Sequence, residues 1–162
     1  MKKARILSLI VMLCFAFSVS AQTSTLPKGS ERIKAIMEQF KGEKGVDCNE
    51  FAKGSGLGLI KMMLRAEFGK EFLNGIVVVM IMEYGSASKE VADAVWTAVE
   101  SLSPDFTPQE LSDEIKEGQK MCSYYKLSDD GESMIGIVTL VESGSTKCLM
   151  YLGGKISKET KK

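Results

Sequence analysis

The segment Ile76-Val-Val-Val-Met-Ile-Met82 constrains this chain more than any other stretch of it. It is uninterrupted apolar sequence, β-branched at its start, and Tyr84-Gly85 ends it. That pattern predicts a strand at the centre of a sheet or covered on both faces, because a strand with one wet face alternates apolar and polar residues. The rest of the chain must supply apolar cover for it.

Helical patterns flank the strand. Ile33, Ile36, Met37 and Phe40 fall at i, i+3, i+4 and i+7, which predicts a helix from an N-cap at Ser30 to about Lys41. Gly42 and Gly45 stop it, and Val46 to Phe51 reads as a short strand. Gly54-Ser-Gly-Leu-Gly58 reads as a flexible turn before a second helix, Leu59 to Phe68, with Ile60, Met63, Leu64 and Phe68 on one side. Beyond the strand, Ser88 can cap a helix to about Leu102 whose apolar stripe includes Val91, Val95 and Val99. Thr107-Pro108-Gln109-Glu110 has the form of a capping box with proline at the first helical position, predicting a short helix that ends near Gly118.

The last third changes period. Lys120 to Leu127, Ser133 to Val141 and Thr146 to Leu152 are strand-like runs separated by the turn sequences Ser128-Asp-Asp-Gly131 and Glu142-Ser-Gly-Ser145. Connections this short make consecutive strands antiparallel neighbours, so this third is a β-meander. The order as a whole predicts an α+β domain with two layers. Helices cover one face of a mainly antiparallel sheet of four to five strands, ending in a three-stranded meander.

The first 21 residues differ from everything after them. Met1-Lys-Lys-Ala-Arg5 is a basic start, Ile6 to Phe17 an apolar run, and Ser18-Val-Ser-Ala21 a small-residue cleavage site. The run is too short to span a bilayer core, which needs roughly 20 apolar residues. Cys14 lies inside the run, where lipoprotein processing would strand Phe15-Ala16-Phe17. Cleavage after Ala21 is therefore expected, followed by a flexible lead-in over 22–29, one domain over 30–154 and a basic tail over 155–162. The leader implies export to the periplasm, cell surface or medium, with no transmembrane segment left after cleavage.

Charge follows the same divisions. The whole chain is neutral, with 21 Lys+Arg against 21 Asp+Glu, but the body from 22 to 154 carries fourteen cations and twenty anions. The leader holds three cations and no anion, and residues 155–162 hold four cations and one anion. An acidic body argues against nucleic acid as a partner. The absence of His removes Ser-His-Asp and Cys-His nucleophilic arrangements and every His-containing zinc site.

Several short motifs invite functional readings that their spacing does not sustain. Gly54 to Gly58 resembles a phosphate loop, but G-x-G-x-x-G needs glycine where Leu59 stands, and no GK[ST] follows. Ser86-Ala-Ser-Lys89 fits S-x-x-K, yet the companion K-T-G is missing and Ser128-Asp129 is followed by Asp130 rather than Asn. Helix capping explains those serines. The acid pairs Glu110 with Glu114 and Asp129 with Asp130 could serve a glycosidase only across a cleft, and Asp129-Asp-Gly131 lacks the ligand ladder of a calcium loop. No catalytic, cofactor-binding or metal-binding residue is assigned, and no cofactor is expected.

Cys48, Cys122 and Cys148 remain after cleavage. On the first and third meander strands, Cys122 and Cys148 would stand nearly 10 Å apart, beyond the roughly 7 Å limit for bridged Cα atoms. Buried thiols are the expected state. Met62, Met63, Met80, Met82, Met121, Met134 and Met150 fall on core-like segments. With helices on one face only, the other face of Ile76–Met82 and Met134–Val141 would need a homodimer or a protein partner to cover it.

The leader, Ile33 to Phe40, Gly58-Leu-Ile-Lys-Met-Met-Leu64, Phe72 to Met82 and the ending Cys148-Leu-Met-Tyr-Leu-Gly-Gly-Lys-Ile156 together resemble a family of small exported Bacteroidetes proteins carried as a domain of unknown function. The resemblance spans about Ser30 to Ser157 and implies an envelope or secreted location without supplying an active site. A noncatalytic envelope or secreted module that binds a protein or surface partner is the leading expectation. The alternative is a small hydrolase that uses carboxylates or a cysteine without histidine.

Overall fold

The computed structural model describes residues 26–110 and 118–156. The leader, most of the lead-in, the tail beyond Ile156 and residues 111–117, on which most of the expected Thr107–Gly118 helix falls, lie outside the described residues.

The described chain runs α1 (Ser30–Phe40), β1 (Asp47–Phe51), α2 (Gly54–Phe68), α3 (Lys70–Asn74), β2 (Ile76–Glu83), α4 (Lys89–Glu100), β3 (Thr107–Gln109), β4 (Gln119–Leu127), β5 (Met134–Ser143) and β6 (Thr146–Ile156). The strands form one six-stranded sheet in the order β1-β2-β6-β5-β4-β3, antiparallel throughout. The fold is α+β, and the C-terminal meander has the expected sequence order. β2 lies inside the sheet, between β1 and β6, as its unbroken apolar sequence demands.

Two features differ from the sequence expectation. Helices cover both faces of the sheet rather than one. Val78, Met80 and Met82 of β2 join Leu149 and Tyr151 of β6 beneath Ile33, Met37, Val95 and Val99 of α1 and α4. The alternate residues Val79 and Ile81 join Cys148, Met150 and Leu152 beneath Ile60 and Leu64 of α2 and Leu73 of α3. Side chains alternate across a strand, so a strand apolar at every position needs a layer on each side. The second face of Ile76–Met82 is thus covered by the chain's own helices.

The sheet also has six strands rather than four or five, because Thr107–Gln109 is a strand instead of the start of a helix. Phe106 is fully buried in the α1–α4 core, and this anchor sets Thr107, Pro108 and Gln109 opposite Tyr125, Tyr124 and Ser123. Pro108 is tolerated there because β3 is an edge strand, where proline's missing N–H need not interrupt a ladder.

A tyrosine fixes the entry to α1. Tyr151 is fully buried, and its hydroxyl shares a 2.9 Å hydrogen bond with Ser30 Oγ. Ser30 therefore does not cap the helix as expected. Gly29, with φ of +96°, takes the cap position, and Ser30 is the first helical residue. The ring lies over two glycines: a Cβ at Gly136 would meet it at 2.8 Å, and one at Gly153 at 2.7 Å. Because the ring is enclosed and its hydroxyl is held, it has little room to retreat.

Gly136→Ala and Gly153→Ala should each destabilise the domain by about 1–3 kcal/mol through overpacking. Gly58→Ala, in α2 where a Cβ would meet nothing within 4 Å, should raise stability by up to about 1 kcal/mol. Urea midpoints compare the three variants directly. Unchanged midpoints for Gly136→Ala and Gly153→Ala would show that the Tyr151 ring is not confined.

Candidate functional site

Chemistry would be sought first where polar groups are buried. At one end of the sheet, Lys120, Glu142 and Lys147 stand opposite one another on β4, β5 and β6, and the Tyr84 N–H donates to Lys147 O at 3.0 Å. Trp96 of α4 lies above this row, with Lys120 Nζ 4.1 Å from its ring centroid. Tyr84 Oη, Trp96 Nε1 and Glu142 Oε1 are buried without a hydrogen-bond partner of ordinary geometry among the described residues. Burial pushes the Tyr84 phenol well above its usual range, and the charge and close approach of Glu142 push it in the same direction. A phenol held this firmly protonated cannot serve as a base near neutrality. It can only donate.

The cysteines are in a comparable state. Cys48, Cys122 and Cys148 are thiols rather than disulfides. β5 separates the strands of Cys122 and Cys148, and β2 separates those of Cys48 and Cys148. Burial pushes Cys48 and Cys122 up to about 11, and it pushes Cys148 higher still. An activated nucleophile needs the opposite shift.

The remaining motifs resolve into local structure. Ser88 caps α4 by accepting the Val91 N–H at 3.3 Å, and Lys89 pairs with Asp93 one turn on. Asp130 accepts hydrogen bonds from Ser128 Oγ and the Glu132 N–H in the β4–β5 turn, and Asp129 pairs with Lys28 at 3.0 Å. Glu110 is exposed and Glu114 lies outside the described residues. Among the described residues, no group of three or more His, Cys, Asp or Glu side chains could hold a metal ion.

The feature that sequence reasoning missed is the outward side of α2. The glycine run Gly54–Gly58 does not form a turn. It makes up the first turns of the helix, which begins at Gly54. Ile60 and Leu64 face the sheet, while Gly58, Met62, Arg65 and Ala66 are exposed. Met62, expected in the core, is 64% exposed, and Val77, three residues beyond α3, is 47% exposed; they are the exposed large hydrophobic residues of the described chain. Val77 is exposed because the β2–β6 register shifts between Ile76 and Val78. The signal was present in the sequence: Gly58-Leu-Ile-Lys-Met-Met-Leu-Arg-Ala66 is apolar around nearly its whole circumference, and a one-sided core accounts for only part of that.

No family model, curated protein or solved structure matches this chain.

The raised thiol pKa values make a direct prediction. A shift from 9.0 to about 11 leaves roughly a hundredfold less thiolate at pH 8 for Cys48 and Cys122. Ellman's reagent should therefore label the native protein at pH 8 far more slowly than it labels the urea-unfolded chain. The same shifts fix a pH dependence. The folded thiols keep their protons where unfolded ones lose them, so their contribution to stability is complete below about pH 9 and falls away between about pH 9 and 11. Rapid native labelling of Cys48 or Cys122, or urea midpoints that do not fall over that pH interval, would contradict the burial described.

Proposed function

We propose that this chain is a noncatalytic module of the bacterial envelope or the secreted fraction. On this reading it resembles the Bacteroidetes proteins of unknown function named above, and it acts by binding a partner or surface through the outward side of α2 and α3. The observation that carries the reading is the exposure of Met62 on a helical layer whose other side packs into the core. Elsewhere among the described residues, Val77 apart, large apolar side chains are buried or half-buried, so exposure here is selective. The protonated thiols do not favour the cysteine form of the alternative, a small hydrolase using carboxylates or a cysteine without histidine, because a cysteine nucleophile needs a lowered pKa. No helix among the described residues is long and apolar enough to cross a membrane.

Co-sedimentation of residues 22–162 with bacterial envelope fragments tests the proposal. The buried core residues of the described chain lie between Ile33 and Ile156, all within this segment. The protein should pellet with the fragments, and Met62→Ser should reduce pelleting several-fold without changing the urea midpoint by more than about 0.5 kcal/mol in stability. Failure to pellet, or pelleting indifferent to Met62→Ser, would remove the α2–α3 surface from the function.

A further inference from the structure

Resting on that reading, we infer that the surface recognised by α2 and α3 is an anionic lipid bilayer, docked by shallow insertion of Met62 between flanking cations. Charge supports this first. Residues 53–74 carry four cations, Lys53, Lys61, Arg65 and Lys70, against two anions, whereas the remainder of the body over 22–154 carries ten against eighteen. This is a cationic layer on an acidic domain.

None of the ion pairs among the described residues involves Lys53, Lys61, Arg65 or Lys70, and Lys44, Lys120, Lys126 and Lys147 elsewhere in the body join none either. Cations beside an exposed methionine are what an interfacial helix presents to phosphate headgroups and acyl chains.

Shape separates a bilayer from a protein partner. The outward side of α2 is a convex helix offering Gly58, Met62 and Ala66, with no exposed aromatic residue. Protein interfaces rely heavily on aromatic anchors fitted into pockets, whereas a soft interface accepts a single flexible side chain flanked by charge.

Flotation with vesicles tests the inference. Residues 22–162 should float with phosphatidylglycerol/phosphatidylethanolamine vesicles at low salt, bind pure phosphatidylcholine vesicles at least tenfold more weakly, and be released by 0.5 M NaCl. Losing one cation near the surface should weaken binding roughly fivefold, so Lys61→Ser/Arg65→Ser should weaken it more than tenfold. Lys61→Arg/Arg65→Lys should retain binding, as should Lys44→Ser in the loop between α1 and β1. Absence of flotation with anionic vesicles, or flotation unaffected by Lys61→Ser/Arg65→Ser, overturns the inference. If envelope fragments still bind in a Met62-dependent manner while vesicles do not, the partner is a protein or polysaccharide and only the lipid assignment fails. If neither binds, the docking function fails with it.

Discussion

β2 and β6 lie side by side within the sheet, and both are apolar at nearly every position from Ile76 to Met82 and from Cys148 to Leu152. Successive side chains point to opposite faces, so this one pairing creates two dry surfaces back to back. Each must be covered, since fully burying a Leu, Ile or Val side chain contributes about 1.5–3 kcal/mol and leaving a row of them wet forfeits that repeatedly. The two helical layers follow from this requirement. α1 and α4 take one face, α2 and α3 the other, and the surface ion pairs are minor beside this burial.

Much of the architecture was legible in local sequence. The meander was readable because its turns, Ser128–Gly131 and Glu142–Ser145, are short enough to force antiparallel neighbours, and α4 because Ser88 precedes a broad apolar stripe. The second layer of cover was implied by Ile76–Met82 itself, but assigning it requires knowing which helix crosses to which face, and that depends on chain path rather than period. β3 was hidden for a different reason. Thr107-Pro108-Gln109-Glu110 satisfies a local capping pattern, while the deciding contact is the burial of Phe106, which aligns the next three residues with β4. Local hydrogen-bonding preference lost to a tertiary anchor.

The candidate surface was legible only after the fold was known. α2 is apolar around most of its circumference, and such a sequence reads equally as a buried helix or as one exposed to something other than water. The sheet uses only the side bearing Ile60 and Leu64, so Met62 and Ala66 are left outside. The interior sites give the complementary result. Cys48, Cys122 and Tyr84 look chemically capable as residue types, but low-dielectric surroundings hold each in its protonated form.

The two helical layers consequently do different work. On the α1–α4 face Lys89 and Asp93 pair along the first turn of α4, and Arg32 and Lys34 of α1 pair with Asp105 and Glu50. Among the described residues no ion pair involves a cation of the α2–α3 layer, and β6 ties the chain's last described residues to that layer. Gly75 and Gly154 make that tie possible: a Cβ on either would collide with the other segment's backbone, and only bare backbone lets Lys155 reach Gly75 O. The same close approach holds Ile156 in the second core, beneath α2 and α3.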